Sequence, residues 1–191
     1  MGEVGESLRE TSVINLGSAS TMVVDDSTFG LDLTCQALLG FGIRTQHACQ
    51  NAAEAMEILS RHPIDLMVVD CEMPTVNGYE LVRWLRRSAG NNAMVPVIMT
   101  AAHICRSKIA EVRDCGANFV VTKPFSASTL LERIVWAARD TRPFLEVGDY
   151  FGPDRRFRDL GAPAGERRSA VIRKAAFDAQ QSAQVAAGLE S

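Results

Sequence analysis

Residues 66–70 have the sequence Leu66-Met67-Val68-Val69-Asp70. Four consecutive apolar residues are too few for a buried helix, and they indicate a β-strand that is covered on both faces. The segment ends in a carboxylate, and Pro74 stops regular structure shortly afterwards. Ligands of open α/β sheets bind just beyond the carboxyl ends of the strands. Asp70 is therefore predicted to bring a reactive group to a crevice at that edge.

Similar segments occur on both sides of this strand. Apolar or alternating runs indicate strands at residues 21–24, 43–47, 95–100 and 119–122. Helical patterns separate these runs, and polar side chains or glycines stand where helices would begin or end. The expected caps are Ser27 or Thr28, Asn51, Asn77, Gly116, and Ser126 or Ser128. Five strands alternating with five helices predict an α/β fold with a doubly wound parallel sheet.

Composition limits the classes of protein to consider. The chain has 191 residues, 47% of them hydrophobic, and a net charge of −3. It contains no apolar run of 18 residues, so we expect no membrane insertion. Five scattered cysteines without a CxxC pair indicate reduced thiols and a cytoplasmic location. Residues 1–19 have the polar composition of a flexible leader that precedes the first strand.

Acidic residues end two of the predicted strands. Asp25 and Asp26 follow the first strand, and Asp70 ends the third. Three carboxylates that converge at one sheet edge repel one another unless a cation intervenes, and hard oxygen ligands favour Mg²⁺. Thr100 and Lys123 end the fourth and fifth strands, where they could bind phosphate oxygens. Any one of these residues alone would be an ordinary polar residue in a loop, but the five together at the strand ends of one sheet predict a phosphoryl-transfer site.

Residues 20–140 resemble the receiver domain of bacterial response regulators such as CheY. The residues that carry the resemblance are Asp25-Asp26, Asp70 with Met73-Pro74 and Asn77-Gly78, Thr100, and Lys123-Pro124-Phe125. The resemblance implies a flavodoxin-like strand order 2-1-3-4-5 and phosphorylation of Asp70 by a histidine kinase. It also implies Mg²⁺ held by Asp25, Asp26, Asp70 and the backbone carbonyl of Glu72. The protein would be a signalling protein, with no catalysis beyond phosphorylation and dephosphorylation of Asp70.

One position departs from the receiver pattern. Receivers usually carry Tyr or Phe three residues before the lysine, as a rotamer switch coupled to the hydroxyl. This chain has Val120 there, and Phe119 precedes it. Neighbouring residues of a strand point to opposite faces, so Phe119 cannot replace the missing aromatic. The usual output face is therefore expected to respond weakly or differently to phosphorylation.

The C-terminal region has a different composition. From Thr141 onward we find no core-forming period, and we predict an arginine-rich tail over residues 141–168 and a terminal helix over 169–188. Between residues 150 and 174, six Arg and one Lys stand against three acidic residues. A basic tail thus follows an acidic domain. Guanidinium groups bind phosphates and the O6/N7 edge of guanine bidentately, and they stack on bases.

The receiver and tail together resemble the Cle proteins, CheY-like effectors whose arginine-rich C-terminal stretch binds cyclic di-GMP. This resemblance implies that cyclic di-GMP is a ligand and that the bound protein engages a flagellar motor switch component, with recruitment to the flagellar pole or motor. The tail motifs are Tyr-Phe-Gly-Pro-Asp-Arg-Arg and Gly-Glu-Arg-Arg. The expected ligand contacts are Tyr150, Phe151, Asp154, Arg155, Arg156, Arg158, Asp159, Arg167 and Arg168.

Two alternatives stay open for the tail. It could be a solvated, disordered extension on a receiver that is driven by phosphorylation alone, in a phosphorelay or on a scaffold. Its arginines and aromatics would also permit nonspecific nucleic-acid binding. The negative charge of the receiver argues against DNA as a partner, because it would repel a long polyanion.

Overall fold

A computed structural model describes residues 16–103 and 105–155. Its central sheet is parallel, with the order β2-β1-β3-β4-β5, which confirms the predicted doubly wound, flavodoxin-like fold. The strands are β1 (Ser20–Val24), β2 (Thr45–Cys49), β3 (Leu66–Asp70), β4 (Val97–Ala101) and β5 (Phe119–Thr122). All residues of β3 and β4 are buried, as expected for central strands covered on both faces. Strand β2 starts and ends two residues later than predicted, because its parallel pairing with β1 matches Ser20 to Thr45 and Val24 to Cys49.

Helices cover both faces of the sheet. They are α1 (Thr28–Gly40), α2 (Ala52–Arg61), α3 (Gly78–Arg87), α4 (Arg106–Cys115) and α5 (Ala127–Ala138), with a short 3-10 helix at Asn91–Met94. Side chains of α2, α3 and α4 pack on one face, and those of α1 and α5 pack on the other. Ser27, Asn51, Asn77 and Ser126 accept hydrogen bonds from the first turns of their helices, as their positions predicted. Among residues 16–103 and 105–155, no helix has the length and apolar character that crossing a membrane requires.

A hairpin follows the receiver-like fold, in the segment after Thr141 where the sequence shows no core-forming period. Strands β6 (Phe144–Val147) and β7 (Tyr150–Pro153) pair antiparallel. Gly148 and Asp149 form the turn between them, and Gly148 has a φ of 57°. Glycine favours this left-handed conformation, and hairpin turns often require it at the first central position. Regular secondary structure therefore continues beyond the fifth helix.

The hairpin packs against the ends of α3 and α4 through a close contact between two glycines. A Cβ added to Gly152 would lie 2.7 Å from the Cα of Gly116, and one added to Gly116 would lie 2.7 Å from the carbonyl oxygen of Phe151. Gly116 also ends α4 in the left-handed region, with a φ of 93°. Two backbones can approach this closely only where neither residue has a side chain.

A buried arginine lies beneath the hairpin. Arg86 of α3 is 3% exposed, and its guanidinium group donates to the carbonyls of Ala93, Val95 and Gly116 and to the side chain of Asn118. The Phe144 ring lies 5.0 Å from the guanidinium carbon. Burial lowers the pKa of Arg86 to about 10, which leaves it charged at neutral pH. Arg86 thus joins α3, the start of β5 and the hairpin.

Candidate functional site

Four strand ends meet at the carboxyl edge of the parallel sheet. The pairing of β3 with β4 matches Asp70 to Thr100, and Lys123 directly follows β5. Asp25 directly follows β1, where its carboxylate accepts a hydrogen bond from the backbone of Ser27. Asp25 is 3% exposed and Asp70 is 7% exposed, whereas the neighbouring Asp26 is exposed. The side chains predicted from separate strand ends therefore converge on one pocket.

Lys123 connects the two buried carboxylates. Its Nζ lies 2.8 Å from an oxygen of Asp25 and 2.8 Å from an oxygen of Asp70. The Thr100 hydroxyl donates to the same Asp70 oxygen over 3.3 Å. Asp70 thus has an ammonium and a hydroxyl beside one oxygen, and both are groups that bind phosphoryl oxygens.

The pocket holds more negative than positive charge. Burial raises the pKa of the Asp70 carboxyl, the Asp25 carboxylate acts in the same direction, and Lys123 opposes both. Burial alone would lower the pKa of Lys123, but its hydrogen bonds to Asp25 and Asp70 outweigh that effect and raise it. One ammonium group shared by two buried carboxylates leaves an environment that favours a further cation.

The carboxylates also fit a metal ion. Asp25, Asp26 and Asp70 each offer an oxygen, and these atoms lie within 4.8 Å of one another. Carboxylate oxygens with room for water are the ligands that Mg²⁺ prefers. Gly30 leaves space for the Asp25 carboxylate, because a Cβ at position 30 would lie 2.6 Å from an Asp25 oxygen. The donor set and its spacing are thus suited to Mg²⁺.

A family model for the response regulator receiver domain matches residues 21–135. The chain belongs to this family. The polar-differentiation response regulator DivK of Brucella anthropi is 27% identical over 115 residues, which are 60% of this chain and 92% of DivK. Chemotaxis protein CheY-3 of Vibrio cholerae is 27% identical over 113 residues, 59% of this chain and 86% of CheY-3. The solved structure of Vibrio cholerae CheY4 has a TM-score of 0.58 at 25% identity, and the match covers 62% of this chain and 98% of CheY4.

Receiver domains bind Mg²⁺ at an acidic pocket, and this receiver has such a cluster. Glu72 lies in the loop that follows Asp70, and its side chain is exposed and forms an ion pair with Lys108 of α4. The pair joins the loop beside the pocket to the first turn of α4. Lys108 was not among the residues predicted from the sequence, because nothing in its helix pattern indicates a partner 36 positions away.

Val120, which stands where receivers usually have Tyr or Phe, lies on the opposite face of the sheet from Phe119, as strand alternation predicts. Val120 packs against the core on the face of the sheet that α2, α3 and α4 cover, whereas Phe119 packs on the opposite face, with its ring 6.1 Å from that of Trp136. Val120 pairs with Met99, next to Thr100. The position three residues before Lys123 therefore has a short β-branched side chain, and the neighbouring Phe119 points to the opposite face.

The predicted ligand residues of the tail divide into two groups. Tyr150, Phe151, Asp154 and Arg155 belong to the hairpin or follow it directly. The other predicted contacts lie outside the described residues; they are Arg156, Arg158, Asp159, Arg167 and Arg168. The predicted helix over residues 169–188 also lies outside them.

The hairpin determines whether the two predicted aromatic contacts, Tyr150 and Phe151, are available to stack on a ligand. Phe151 is 7% exposed and its ring lies 5.5 Å from that of Phe144, so Phe151 belongs to the hairpin core rather than to a stacking surface. Tyr150 is half-buried, and its hydroxyl donates to the Pro153 carbonyl over 2.6 Å. The Arg155 guanidinium carbon lies 3.7 Å from the centre of the Tyr150 ring. Stacking of a cation on this ring therefore already occurs within the protein.

Two further arginines, not singled out by the sequence, lie near Arg155. Arg83 and Arg87 of α3 line a cavity beneath the hairpin, together with Tyr150 and Arg155. Their helix shows only an ordinary amphipathic pattern, with a basic last turn. Recognising them would have required knowing that residues 144–153 fold back onto α3.

Proposed function

We propose that this receiver accepts a phosphoryl group on Asp70 from a histidine kinase, with Mg²⁺ held by Asp25, Asp26, Asp70 and the Glu72 backbone carbonyl. The observation that carries the proposal is the convergence of Lys123 and Thr100 on one Asp70 oxygen, at 2.8 and 3.3 Å. The working division of the chain is a receiver over residues 20–140 and a ligand-binding region over 141–168.

The chemistry follows from these contacts. An Asp70 carboxylate oxygen attacks phosphorus, the phosphorus–nitrogen bond of the phosphohistidine breaks, and the electron pair leaves on the imidazole of the kinase. Lys123 binds a phosphoryl oxygen through its ammonium group, and the Thr100 hydroxyl donates to another. When bound, Mg²⁺ neutralises charge on the phosphoryl oxygens. Positioning and charge neutralisation account for the transfer, and no further base is required because Asp70 reacts as the anion.

The metal-dependent part is tested with a small-molecule acyl phosphate as donor. Intact-mass spectrometry of the full chain should show one added phosphoryl group in MgCl₂ and none with EDTA. An Asp25→Asn, Asp26→Asn double variant should incorporate little at the same donor and magnesium concentrations. A control variant, Asp32→Asn, removes an α1 carboxylate outside the acidic cluster and should behave as wild type. Uptake that is equal with and without magnesium would refute the metal assignment.

We further propose that the C-terminal region binds cyclic di-GMP. The supporting observation is the Arg155 guanidinium on the Tyr150 ring at the end of the hairpin, where the arginine-rich sequence begins. Arginine stacks on planar groups and binds phosphates, and a guanine dinucleotide offers both. A basic segment that closes around a dianionic ligand gains charge-assisted hydrogen bonds against the cost of its own ordering.

The dinucleotide proposal is tested by calorimetry on the full chain. Ending the chain at Arg139 would remove the hairpin that covers Arg86, so point variants are the cleaner test. An Arg155→Ala, Arg156→Ala variant should bind cyclic di-GMP at least tenfold more weakly than wild type, because charge-assisted contacts are lost. A tenfold loss of affinity corresponds to about 1.4 kcal/mol of binding free energy. Equal binding by both proteins, or none by either, would refute the proposal.

The proposed downstream partner is a flagellar motor switch component. Its support is the resemblance to the Cle proteins and the likeness to a protein named for chemotaxis, CheY-3. A purified switch component should be retained by the immobilised full chain in cyclic di-GMP, and less so without it. The alternative is a receiver whose output depends on phosphate alone. In that case Asp70→Ala would abolish the output and the Arg155 and Arg156 substitutions would leave it intact.

A further inference from the structure

Tyr79, the second residue of α3, has a buried hydroxyl group without an ordinary hydrogen bond. The side chain is 7% exposed, and within residues 16–103 and 105–155 no group lies in hydrogen-bond geometry with its oxygen. Burial raises the pKa of the phenol, and the neighbouring Cys71 thiol acts in the same direction. A thiol is only a weak hydrogen-bonding group. Burying a hydroxyl without a partner costs free energy, so conformations that pair the Tyr79 hydroxyl are favoured.

The backbone connects this tyrosine to the proposed phosphoryl acceptor. Gly78, which precedes Tyr79, donates from its backbone N–H to the Cys71 carbonyl over 3.1 Å. A Cβ added to Gly78 would collide with the carbonyl oxygen of Asp70, so the end of β3 and the start of α3 are in direct contact. A displacement of Asp70 or Cys71 is therefore passed on to the first turn of α3.

The neighbouring helix, α4, is weakly attached in its first half. Lys108, Glu111, Val112 and Cys115 have the i, i+3, i+4, i+7 spacing of one helix face. Val112 and Cys115 are buried in the same core cluster as Tyr79. They are the only buried side chains of α4 among those that the structure describes. The first half of this face has charged groups instead, so polar contacts determine how it lies on the receiver.

The two charged groups of this face lie near different parts of the receiver. Lys108 forms the ion pair with Glu72. The hydrogen bond from Lys108 lowers the pKa of Glu72, and Lys123 acts more weakly in the same direction, so the pair is within electrostatic reach of the acidic pocket. Beyond the effect of burial, the Glu111 charge also raises the pKa of Tyr79, although the two side chains form no hydrogen bond. A phenol hydroxyl and a carboxylate are a donor and an acceptor that pair readily.

We propose that phosphorylation of Asp70 brings the Tyr79 hydroxyl into a hydrogen bond with Glu111, so that Tyr79 is the relay between the acidic pocket and α4. The added phosphoryl charge attracts the Lys108 ammonium group, and the first half of α4 moves towards the pocket with it. Glu111 lies three residues further along the same face and moves with Lys108. The phosphoryl group selects this conformation because it interacts more favourably with it. Tyr79 supplies an aromatic ring in the core that also contacts Val120. This inference rests on the proposed phosphorylation of Asp70.

Amide hydrogen exchange of the full chain, with and without an acyl phosphate donor in MgCl₂, tests the relay. Amides of residues 106–111 should exchange roughly two- to tenfold more slowly in phosphorylated wild type, as expected for one added hydrogen bond. Tyr79→Phe keeps the ring and removes only the hydroxyl, so it should fold and take up the phosphoryl group but lose the slowing. The matched control is Tyr150→Phe, which removes the hydroxyl that donates to Pro153 and should keep the slowing. Intact mass verifies phosphoryl uptake in every sample.

A second variant tests the acceptor of the hydrogen bond. Glu111→Ala should also lose the slowing, whereas Glu132→Ala, which removes an exposed carboxylate of α5, should keep it. Losses of equal size in the variants and their controls would mean a nonspecific effect and would overturn the relay.

The remaining outcomes separate this inference from the proposed phosphorylation. Phosphoryl uptake by wild type without slower exchange, or slowing that persists in Tyr79→Phe or Glu111→Ala, would overturn the relay and leave the phosphorylation of Asp70 standing. Loss of uptake in Tyr79→Phe would assign the tyrosine to the transfer itself and would also overturn the relay. No uptake by wild type would overturn both proposals.

Discussion

Asp114 in the last turn of α4 and Arg155 after the hairpin form an ion pair, with 3.1 Å between Oδ1 and Nη1. Lys108 in the first turn of the same helix pairs with Glu72, two residues after Asp70. One ten-residue helix thus contacts the loop of the acidic pocket at one end and the start of the arginine-rich sequence at the other. Any ligand that draws Arg155 away must compete with Asp114.

Asp114→Asn should strengthen cyclic di-GMP binding. The substitution removes the carboxylate that competes for Arg155, and an exposed pair of this kind contributes only about 0–1 kcal/mol to stability. We therefore expect an affinity gain of roughly two- to fivefold and little change in the free energy of unfolding. Calorimetry on the full chain measures the affinity, and urea denaturation measures the free energy of unfolding.

Glu57→Gln is the control for this effect, because it removes the acid of another exposed ion pair, with Arg61, at the same change in net charge. A gain of equal size in Glu57→Gln would show that the long-range field, and not competition for Arg155, is responsible.

Arg86→Met should strongly destabilise the protein. The substitution fits an apolar chain into the same space but removes the arginine donor from the buried carbonyls of Ala93, Val95 and Gly116, whereas the Asn118 oxygen keeps its hydrogen bond from the backbone of Val97. Buried polar groups left unpaired in this way cost roughly 3 kcal/mol or more in total. Urea denaturation measures the loss. Arg87→Met at the exposed neighbouring position should change the free energy of unfolding by only about 0.5 kcal/mol. Similar values for the two variants would contradict the role assigned to Arg86.

Asp140 makes stability depend on pH. Burial opposes its ionisation, but hydrogen bonds from the Arg142 side chain and backbone and from Asn118 outweigh burial and lower the pKa of Asp140. A lowered folded-state pKa contributes stability that is complete above the unfolded-state value, near 3.9, and is lost as the pH falls through the folded-state value. Wild type should therefore exceed Asp140→Asn by about 1 kcal/mol at neutral pH, with the difference vanishing at acid pH. A difference that is independent of pH would contradict the ion pair.

Thr100→Val should slow phosphoryl uptake without unfolding the receiver. The substitution keeps the shape of the side chain and removes the hydroxyl that donates to Asp70. A donor aimed at charge that develops during transfer is worth roughly tenfold or more in rate. Rates from an acyl phosphate donor, followed by intact mass, measure the effect. Thr21→Val is the matched control, since that buried threonine on β1 donates to the Thr45 carbonyl. Equal rates for Thr100→Val and wild type would contradict a role for the Thr100 hydroxyl in phosphoryl uptake.

Much of the fold was predictable because its signals are local. Buried strands such as Leu66–Asp70 are continuous apolar runs, and side chains such as Asn77 mark helix starts by hydrogen bonding within one turn. The residues of the acidic pocket were also predictable, because the parallel topology brings every strand end to the same edge. What these residues do chemically stays a prediction.

The hairpin was missed because its stability is not local. Strand β7 contains Gly152 and Pro153, which normally indicate a break in structure. Here Gly152 is needed for the contact with Gly116, which is 36 residues earlier in the chain. Phe151 is likewise buried only because the hairpin folds back onto α3 and α4. The only local signal was Gly148-Asp149 between two segments with aromatic residues.

Trapping the phosphoryl group chemically tests the central claim most directly. Borohydride reduces an aspartyl phosphate to homoserine, so treatment after incubation with an acyl phosphate and MgCl₂ marks the acceptor residue for peptide mass spectrometry. We predict homoserine at position 70 in wild type and no homoserine anywhere in Asp70→Asn. Homoserine at another aspartate of wild type, or none in wild type under conditions where the donor is consumed, would contradict the assignment of Asp70 as the phosphoryl acceptor.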